Sequence, residues 1–389
     1  MNLLRPTEKL ERISSVDALR GFALLGILLA NIPYGGEYGI SPEDGNGIVW
    51  IFNLLISNKF ISIFSMLFGF GFYIQLTRAE KKGIGFRHYF ILRMLLLFAI
   101  GCLHAYLLWF GDILRTYALG GLLLLLVYKW PLKRLLVLAI IFNVFLTGIV
   151  YIGNSALDWR VYDYDYFLAA EHYITPSYLR YLWINFTIDP WMNFLQDMPL
   201  TIVFTFGNML LGLVLAKIDF FRLPQRLNRM SNVFILLGAT LGIASSYVYT
   251  LLMMGKLELD WSMIWLPFVL AAGLVMQSLF YISTFLRLYR VPLIRKFLKV
   301  FDPVGKTALS NYIFQTLLYI GLFFHLDYTL KLHGQLDNLQ TFLLGFALFA
   351  FQVLISNLWL KHFRQGPVEY AWKSFAYRFV RQKTNKSLT

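Results

Sequence analysis

Long apolar stretches separated by short polar segments run along almost the whole chain. A helix needs about 20 apolar residues to cross a hydrocarbon core of about 30 Å. The pattern therefore predicts ten membrane-spanning helices, at about 16–34, 48–76, 89–110, 113–128, 135–153, 198–216, 231–254, 261–283, 305–326 and 339–360.

The second stretch is longer than one crossing requires. Asn58 and Lys59 interrupt it, so we expect its first part to be an interfacial or re-entrant piece. Further along it, Gly69 and Gly71 in MLFGFGF predict a close approach of another helix, because glycine lets two backbones pack together.

The Lys and Arg residues fall almost entirely on one side of this alternating topology. Of the 35, 26 lie in the termini and even-numbered loops, 4 lie in the odd-numbered loops, and 5 lie in or at the spans. Because basic loops stay in the cytoplasm, this bias predicts that both termini are cytoplasmic.

Composition supports a membrane protein with no soluble domain. Hydrophobic residues make up 58% of the chain and charged residues 14%, whereas soluble domains average about 25% charged. We expect an all-α, polytopic membrane bundle in one domain, 1–389. Its parts are a cytoplasmic N-terminus (1–15), five spans (16–153), an extracytoplasmic segment (154–197), five further spans (198–360) and a cytoplasmic tail (361–389).

The net charge of +14 does not indicate nucleic acid, because the basic residues are spread over short loops. Anionic lipid headgroups are their simplest partner. Cys102 is the single cysteine, so no internal disulfide is expected. The sequence contains no metal-type Cys/His cluster. The 154–197 segment is rich in Tyr, Trp and Asp, which suits a layer at the membrane interface.

His104 and Asp112 are the leading candidates for chemistry. His104 lies about 23 Å along its helix from Tyr89, so we expect it near the outer face, within reach of the turn at Asp112. A neutral imidazole oriented by a carboxylate can act as a general base. Two other interpretations stay open, since His104 would also suit a helix–helix hydrogen bond and Asp112 would also suit an N-cap.

Other polar residues in the spans have both functional and structural interpretations. Arg20 can pair with Asp17 on one helix face, or it can meet the phosphates of a donor together with Arg93. Lys59 could join them or face an outer cavity. Asn311 and Gln315 form a polar stripe, for which interhelical hydrogen bonding is the simpler role.

Several segments resemble the YeiB-like bacterial membrane proteins, which carry the domain of unknown function 418. The matching segments are RISSVDALRGFALLGILLANI (12–32), KFISIFSMLFGFGF (59–72), the stretch 104–118 with its GDIL, NMLLGLVLAK (208–217), VGKTALSNYIFQ (304–315) and GPVEYAWKS (366–374). The resemblance implies a location in the bacterial inner membrane.

The first span and the stretch 112–118 are also similar to heparan-α-glucosaminide N-acetyltransferase. That similarity implies a transmembrane acyltransferase superfamily, whose members transfer an acyl group from cytoplasmic acyl-CoA to a sugar on the far side. It gives Arg20 a donor-side role and the His104–Asp112 region an acceptor-side role. The acetyltransferase has its proposed catalytic histidine in the loop after the first matching span, whereas loop 35–47 here has none. Either His104 has taken that role or the chemistry is absent.

The leading hypothesis is an enzyme that uses acetyl-CoA or another acyl-CoA and no metal. Catalysis is assigned to His104 and Asp112, and donor binding or oxyanion stabilisation to Arg20, Arg93, Lys59, Asn311 and Gln315. The expected partners are the bilayer, acyl-CoA, an extracytoplasmic glycan or small-molecule acceptor, and a second copy of the chain. A small-solute transporter and a non-catalytic envelope interaction protein are the alternatives.

Overall fold

The computed structural model describes residues 13–32, 47–81, 86–156, 171–189, 191, 194–258 and 261–375. The start of the predicted N-terminal segment, nearly all of loop 35–47, residues 157–170 and the end of the tail therefore lie outside the described residues. The described part of the chain is mainly helical and contains no strand.

Sixteen helices within that part carry labels in chain order. They are α1 (Ser14–Asn31), α2 (Gly47–Leu55), α3 (Lys59–Lys81), α4 (Phe86–Leu107), α5 (Leu114–Val127), α6 (Leu132–Ile140), α7 (Thr147–Ala156), α8 (Tyr178–Thr187), α9 (Phe194–Lys217), α10 (Asn228–Leu237), α11 (Ile243–Met253), α12 (Leu266–Leu288), α13 (Pro292–Leu298), α14 (Asp302–Lys306), α15 (Ala308–Phe323) and α16 (Asn338–His362). Short π-helical segments, Ile141–Leu146 and Gly238–Gly242, join α6 to α7 and α10 to α11.

The helices confirm the predicted helical membrane bundle. By length and composition, seven segments are long and apolar enough to cross a membrane. They are 14–31, 47–81, 86–107, 132–152, 225–253, 266–288 and 338–362. Three shorter apolar helices, 114–127, 201–217 and 308–323, fall at the remaining predicted spans.

The bundle is polar in places inside and apolar outside, as expected for a protein in lipid. Gln277, Asn208 and Gln352 are each fully buried, whereas Leu236 and Leu343 expose more than half of their surface. Because lipid tails are as apolar as leucine, such outward-facing side chains are stable in a bilayer.

The predicted interruption of the second stretch is confirmed. Helix α2 ends at Leu55, Asn58 has a left-handed backbone with φ of 64°, and α3 begins at Lys59. The basic loop after α3 leads into α4, so α3 begins and α4 ends at the same end of the bundle. We call this the His104 end, and the end with the basic loops the basic end.

One of the two predicted glycine contacts is present and the other is not. A Cβ at Gly69 would lie 2.0 Å from the Met209 carbonyl oxygen, and a Cβ at Gly212 would lie 1.9 Å from that of Met66. These glycines therefore allow α3 and α9 to cross in backbone contact. A Cβ at Gly71 would have no neighbouring atom within 4 Å, so the expectation of a close helix approach there was wrong.

We expect Gly69→Ala to lower the thermal midpoint of the purified full-length protein, corresponding to about 1–3 kcal/mol, because the added methyl group pushes α9 away from α3. Differential scanning fluorimetry in detergent measures the effect. Gly71→Ala is the matched control and should leave the midpoint unchanged or slightly raised, since alanine favours a helix. Equal effects of the two variants would contradict the assigned crossing.

Candidate functional site

The candidate site forms where α4 turns into α5 at the His104 end. His104 lies in the last turn of α4 and is 2% exposed, and Asp112 lies just before α5 and is 7% exposed. Nδ1 of His104 and Oδ1 of Asp112 are 3.2 Å apart. The structure thus places the two residues side by side, with the carboxylate next to Nδ1 of the imidazole.

A glycine permits this geometry. A Cβ at Gly101 would lie 2.8 Å from Oδ2 of Asp112 and 2.8 Å from the backbone nitrogen of Arg115. Any larger residue at this position of α4 would push the start of α5 away. The close approach therefore depends on the absence of a side chain one turn before His104.

Asp112 also holds the first turn of α5. Its Oδ2 accepts the backbone N–H of Arg115 at 3.0 Å and the side-chain Nε–H of the same residue at 3.2 Å. The carboxylate therefore satisfies a helix N-terminal donor as well as facing His104, although the residue directly before α5, Ile113, makes no side-chain cap.

Arg115 is the centre of a buried charge cluster, in which Asp189 joins Asp112. Its guanidinium donates to both carboxylate oxygens of Asp189, at 2.6 and 2.8 Å, and the Arg115 side chain is 1% exposed. Two carboxylates and one guanidinium give the cluster a formal charge of −1. Asp189 is 74 residues from Arg115 in sequence, so no local pattern indicated the pairing.

Helix α8 covers the turn through one of its faces. The hydroxyl of Tyr178 donates to the Leu107 carbonyl at 2.9 Å, and that of Tyr181 donates to the Leu108 carbonyl. Oδ1 of Asn185 accepts the N–H of Phe110 at 3.3 Å. With Asp189, these residues recur at helical spacing. Part of the predicted interfacial segment is thus a cover over the site.

His172 supports the same cover from the stretch before α8. Its Nε2 donates to Oδ1 of Asn185 at 2.8 Å, and its ring stacks on Tyr181 with centroids 4.6 Å apart. Burial lowers the pKa of His172 to about 3, so the ring is neutral at pH 7. A neutral histidine adds no charge beside the Asp112–Arg115–Asp189 cluster.

The other nitrogen of His104 faces α15. Nε2 lies 2.9 Å from Oγ1 of Thr316, and the Tyr312 ring lies 5.1 Å from the imidazole centroid to centroid. Thr316 also lines a narrow cleft of about 10 Å³, with Asn31, Trp109, Tyr173, Tyr319, Ile320 and Phe324. One water molecule needs about that much room. No local pattern pointed to Thr316, because it lies 212 residues from His104 in the sequence.

Asn311 and Gln315 do not join His104. Nδ2 of Asn311 donates to the hydroxyls of Thr307 and Ser356, at 2.7 and 2.9 Å. Nε2 of Gln315 donates to the Leu24 carbonyl at 3.2 Å and to Oε1 of Gln352 at 3.1 Å. These bonds connect α15 to α1 and α16, which is the helix-linking role that the sequence favoured.

The two arginines predicted for donor binding have separate partners. The Arg20 guanidinium lies 3.1 Å from Oδ1 of Asp17 and donates to the Gly305 carbonyl at 3.4 Å. Arg93 donates to Gln75 and stacks on the Trp372 ring at 4.2 Å. Their joint contact with a donor stays a prediction.

Lys59 also has different neighbours from His104. Its Nζ donates to the Asn53 carbonyl of α2 at 2.5 Å, and its own carbonyl accepts from Ser278 of α12 at 3.3 Å. Across the described residues, no group of three His, Cys, Asp or Glu side chains could hold a metal ion.

Comparison with known proteins finds relatives over the whole length of the chain. The family described as "Protein of unknown function (DUF418)" matches residues 215–379. The "Uncharacterized protein YxaH" of Bacillus subtilis is 30% identical, over 97% of each chain. The "Uncharacterized protein YeiB" of Escherichia coli is 28% identical, over 95% of this chain and 97% of the relative. No solved structure matches the chain.

We expect Asp189→Asn to lower the free energy of unfolding by about 1–3 kcal/mol, because it disrupts two buried hydrogen bonds from Arg115 while Asp112 still balances the guanidinium charge. Denaturation of the purified protein, followed by intrinsic tryptophan fluorescence, measures the change. Glu171→Gln is the matched control, since its partner Arg180 is exposed and such pairs contribute little to stability. If the control lost as much stability as Asp189→Asn, the claim that the buried contact contributes more than the exposed ion pair would be wrong.

Proposed function

The chain belongs to the YeiB-like family of membrane proteins that carries the DUF418 region, and we propose that it is a membrane acyltransferase in which His104 is the general base. The acyl donor is acetyl-CoA or another acyl-CoA, and the acceptor is a hydroxyl or amine of a glycan or small molecule. The relatives match more of the chain than residues 215–379, so the similarity extends beyond the DUF418 region.

The observation that carries the proposal is the buried pairing of His104 with an anionic cluster. Asp112, Arg115 and Asp189 have a formal charge of −1 beside Nδ1. A proton taken up at Nε2 would bring the formal charge of the group to zero. Such an arrangement stabilises an imidazolium formed in a transition state, as the carboxylate does in other histidine bases.

The chemistry then follows from the position of Nε2. Nε2 removes the proton of the acceptor hydroxyl or amine while the acceptor atom bonds to the thioester carbonyl carbon. The carbon–sulfur bond breaks, and the imidazolium returns its proton to the CoA thiolate. The products are an acylated acceptor and CoA. The acceptor would take the place of the Thr316 hydroxyl, at the edge of the one-water cleft, so the cleft must widen for an acceptor to enter.

The distribution of Lys and Arg supports binding of the acyl donor and of the acceptor from opposite sides of the membrane. The excess of Lys and Arg in the loops at the basic end favours a cytoplasmic location for that end and for both termini. The His104 end would then face the extracytoplasmic side of the bacterial inner membrane. Arg20 and Arg93 remain the proposed donor contacts, and each would exchange a present protein partner for a donor phosphate.

Asn311 and Lys59, which the sequence suggested as hydrogen-bond donors to the oxyanion, both have other partners in the structure. The Asn311 amide is engaged by Thr307 and Ser356, and Lys59 contacts α2 and α12. Tyr312 packs on the imidazole, and its hydroxyl accepts the N–H of Ile113 at 3.4 Å, which leaves its own proton for donation. We therefore favour the Tyr312 hydroxyl as the hydrogen-bond donor that stabilises the oxyanion.

We expect His104→Ala to reduce acyl transfer by about 10²–10⁴-fold, the usual contribution of general acid–base catalysis, with acetyl-CoA binding unchanged. Release of CoA thiol by the protein in proteoliposomes measures transfer, with amino sugars and neutral sugars as acceptors. Calorimetry with acetyl-CoA and with CoA measures binding, and Arg20→Ala should weaken it. His362→Ala is the matched control at an exposed histidine.

Two outcomes would count against the proposal. Undiminished transfer in His104→Ala would remove the histidine from the mechanism. Absence of binding of both acetyl-CoA and CoA by the folded protein would favour the transporter alternative. In that case, proton-dependent uptake lost in Asp112→Asn would identify the same buried charges as a transport site.

A further inference from the structure

A second cavity lies at the His104 end, between the α2–α3 break and helices α11 and α12. Its volume is about 330 Å³, within the range of small-molecule sites. Ser57, Asn58 and Lys59 of the break form one wall, and Leu270, Ala271 and Leu274 of α12 belong to another. None of the residues that line it belongs to the His104–Asp112–Arg115–Asp189 cluster.

The break that forms this wall is held by α12. Nε2 of Gln277 donates to the Leu54 carbonyl at 2.9 Å, and the hydroxyl of Tyr281 donates to the Leu55 carbonyl at 3.0 Å. These bonds satisfy backbone groups that the end of α2 leaves open. The cavity wall is thus a built feature, with Lys59 fixed at its inner edge as the first residue of α3.

Lys59 is buried with little to balance its charge. It is 1% exposed, and its ammonium donates to one carbonyl, that of Asn53. Lysine has three donor hydrogens, and the cost of burying a charge is large unless an opposite charge accompanies it. Within the described residues no carboxylate forms an ion pair with Lys59. The N-terminal end of the α3 dipole adds further positive potential at the same point.

The remaining walls are mainly apolar. Among the described residues that line the cavity, Lys59 is the one cation, and Glu258, which is exposed, is the one acid. The hydroxyl of Ser246 is already engaged with Oε1 of Gln277 at 2.5 Å. A ligand that fits must therefore carry one negative charge for Lys59 and an apolar body for the walls.

From this arrangement we infer that the cavity binds an apolar monocarboxylate, with its carboxylate on Lys59 and its hydrocarbon body between α11 and α12. One buried lysine neutralises one negative charge, so a monoanion fits better than a phosphate monoester with two charges. The site is independent of acyl transfer by His104, because it rests on different helices and needs no acyl-CoA.

The test uses radiolabelled decanoate and the full-length protein in nanodiscs of phosphatidylcholine, with empty nanodiscs subtracted. We expect saturable binding that weakens at least tenfold in Lys59→Met. Lys331→Met is the matched control, since Lys331 lies at the same end of the bundle, between α15 and α16, but does not line the cavity. It should bind like the wild type. Unchanged binding in Lys59→Met would overturn the assignment.

A second variant keeps the test valid if Lys59→Met fails to fold. Ala271→Phe fills the cavity from α12 and leaves Lys59 in place, and it should abolish binding. Retained binding in this variant would place decanoate elsewhere and overturn the proposal.

Competing ligands test whether recognition needs a negative charge and whether that charge belongs to a carboxylate or to a phosphodiester. Decanol has the same chain without the charge and should displace decanoate at least tenfold less well than unlabelled decanoate does. If decanol displaced decanoate as well as unlabelled decanoate does, the charge of Lys59 would have no part in ligand recognition. Lysophosphatidylglycerol carries its single charge on a phosphodiester, and tighter binding of this lipid than of decanoate would reassign the cavity to a lipid headgroup.

Discussion

The buried guanidinium of Arg115 is the constraint on which the arrangement of the His104 end depends. A charge at this depth is costly unless it is paired and hydrogen-bonded, and here two carboxylates meet it. Asp112 comes from the turn before α5, and Asp189 comes from the residues just after α8. Meeting this one requirement fixes the turn, seats α8 over it, and leaves a carboxylate oxygen beside His104.

A second polar system holds helices together. Gln315, Gln352, Asn311 and Ser356 form a chain of hydrogen bonds from α1 through α15 to α16. In lipid, where hydrophobic attraction between helices is absent, such bonds take over part of the role of an apolar core. The two systems share α15, since Thr316 of that helix contacts His104. The interior thus uses similar residues for structure on one face of α15 and for candidate chemistry on another.

Much of the architecture could be predicted because membrane helices leave a strong signal in the sequence. The ten apolar stretches and the break at Asn58 are properties of single segments, and the depth of His104 follows from the rise per residue. The order in which helices pack leaves no such signal. For this reason Asp189, Thr316 and the cover by α8 were missed, Gly71 was misassigned, and Arg20, Arg93 and Lys59 were grouped although each has different neighbours.

The pairing of Asp112 with Arg115 within one turn of α5 also bears on how the protein is made. Asp189 is synthesised 74 residues after Arg115, so it is not available when α4 and α5 enter the bilayer. A lone arginine at the centre of a membrane helix costs about 2.5–3.5 kcal/mol on biological scales, and this is an upper bound for Arg115 in the first turn of α5. Because Asp112 accompanies Arg115, this buried pair is electrically neutral on its own during biogenesis. The net negative charge beside His104 then arises only as a late step of assembly, when α8 docks.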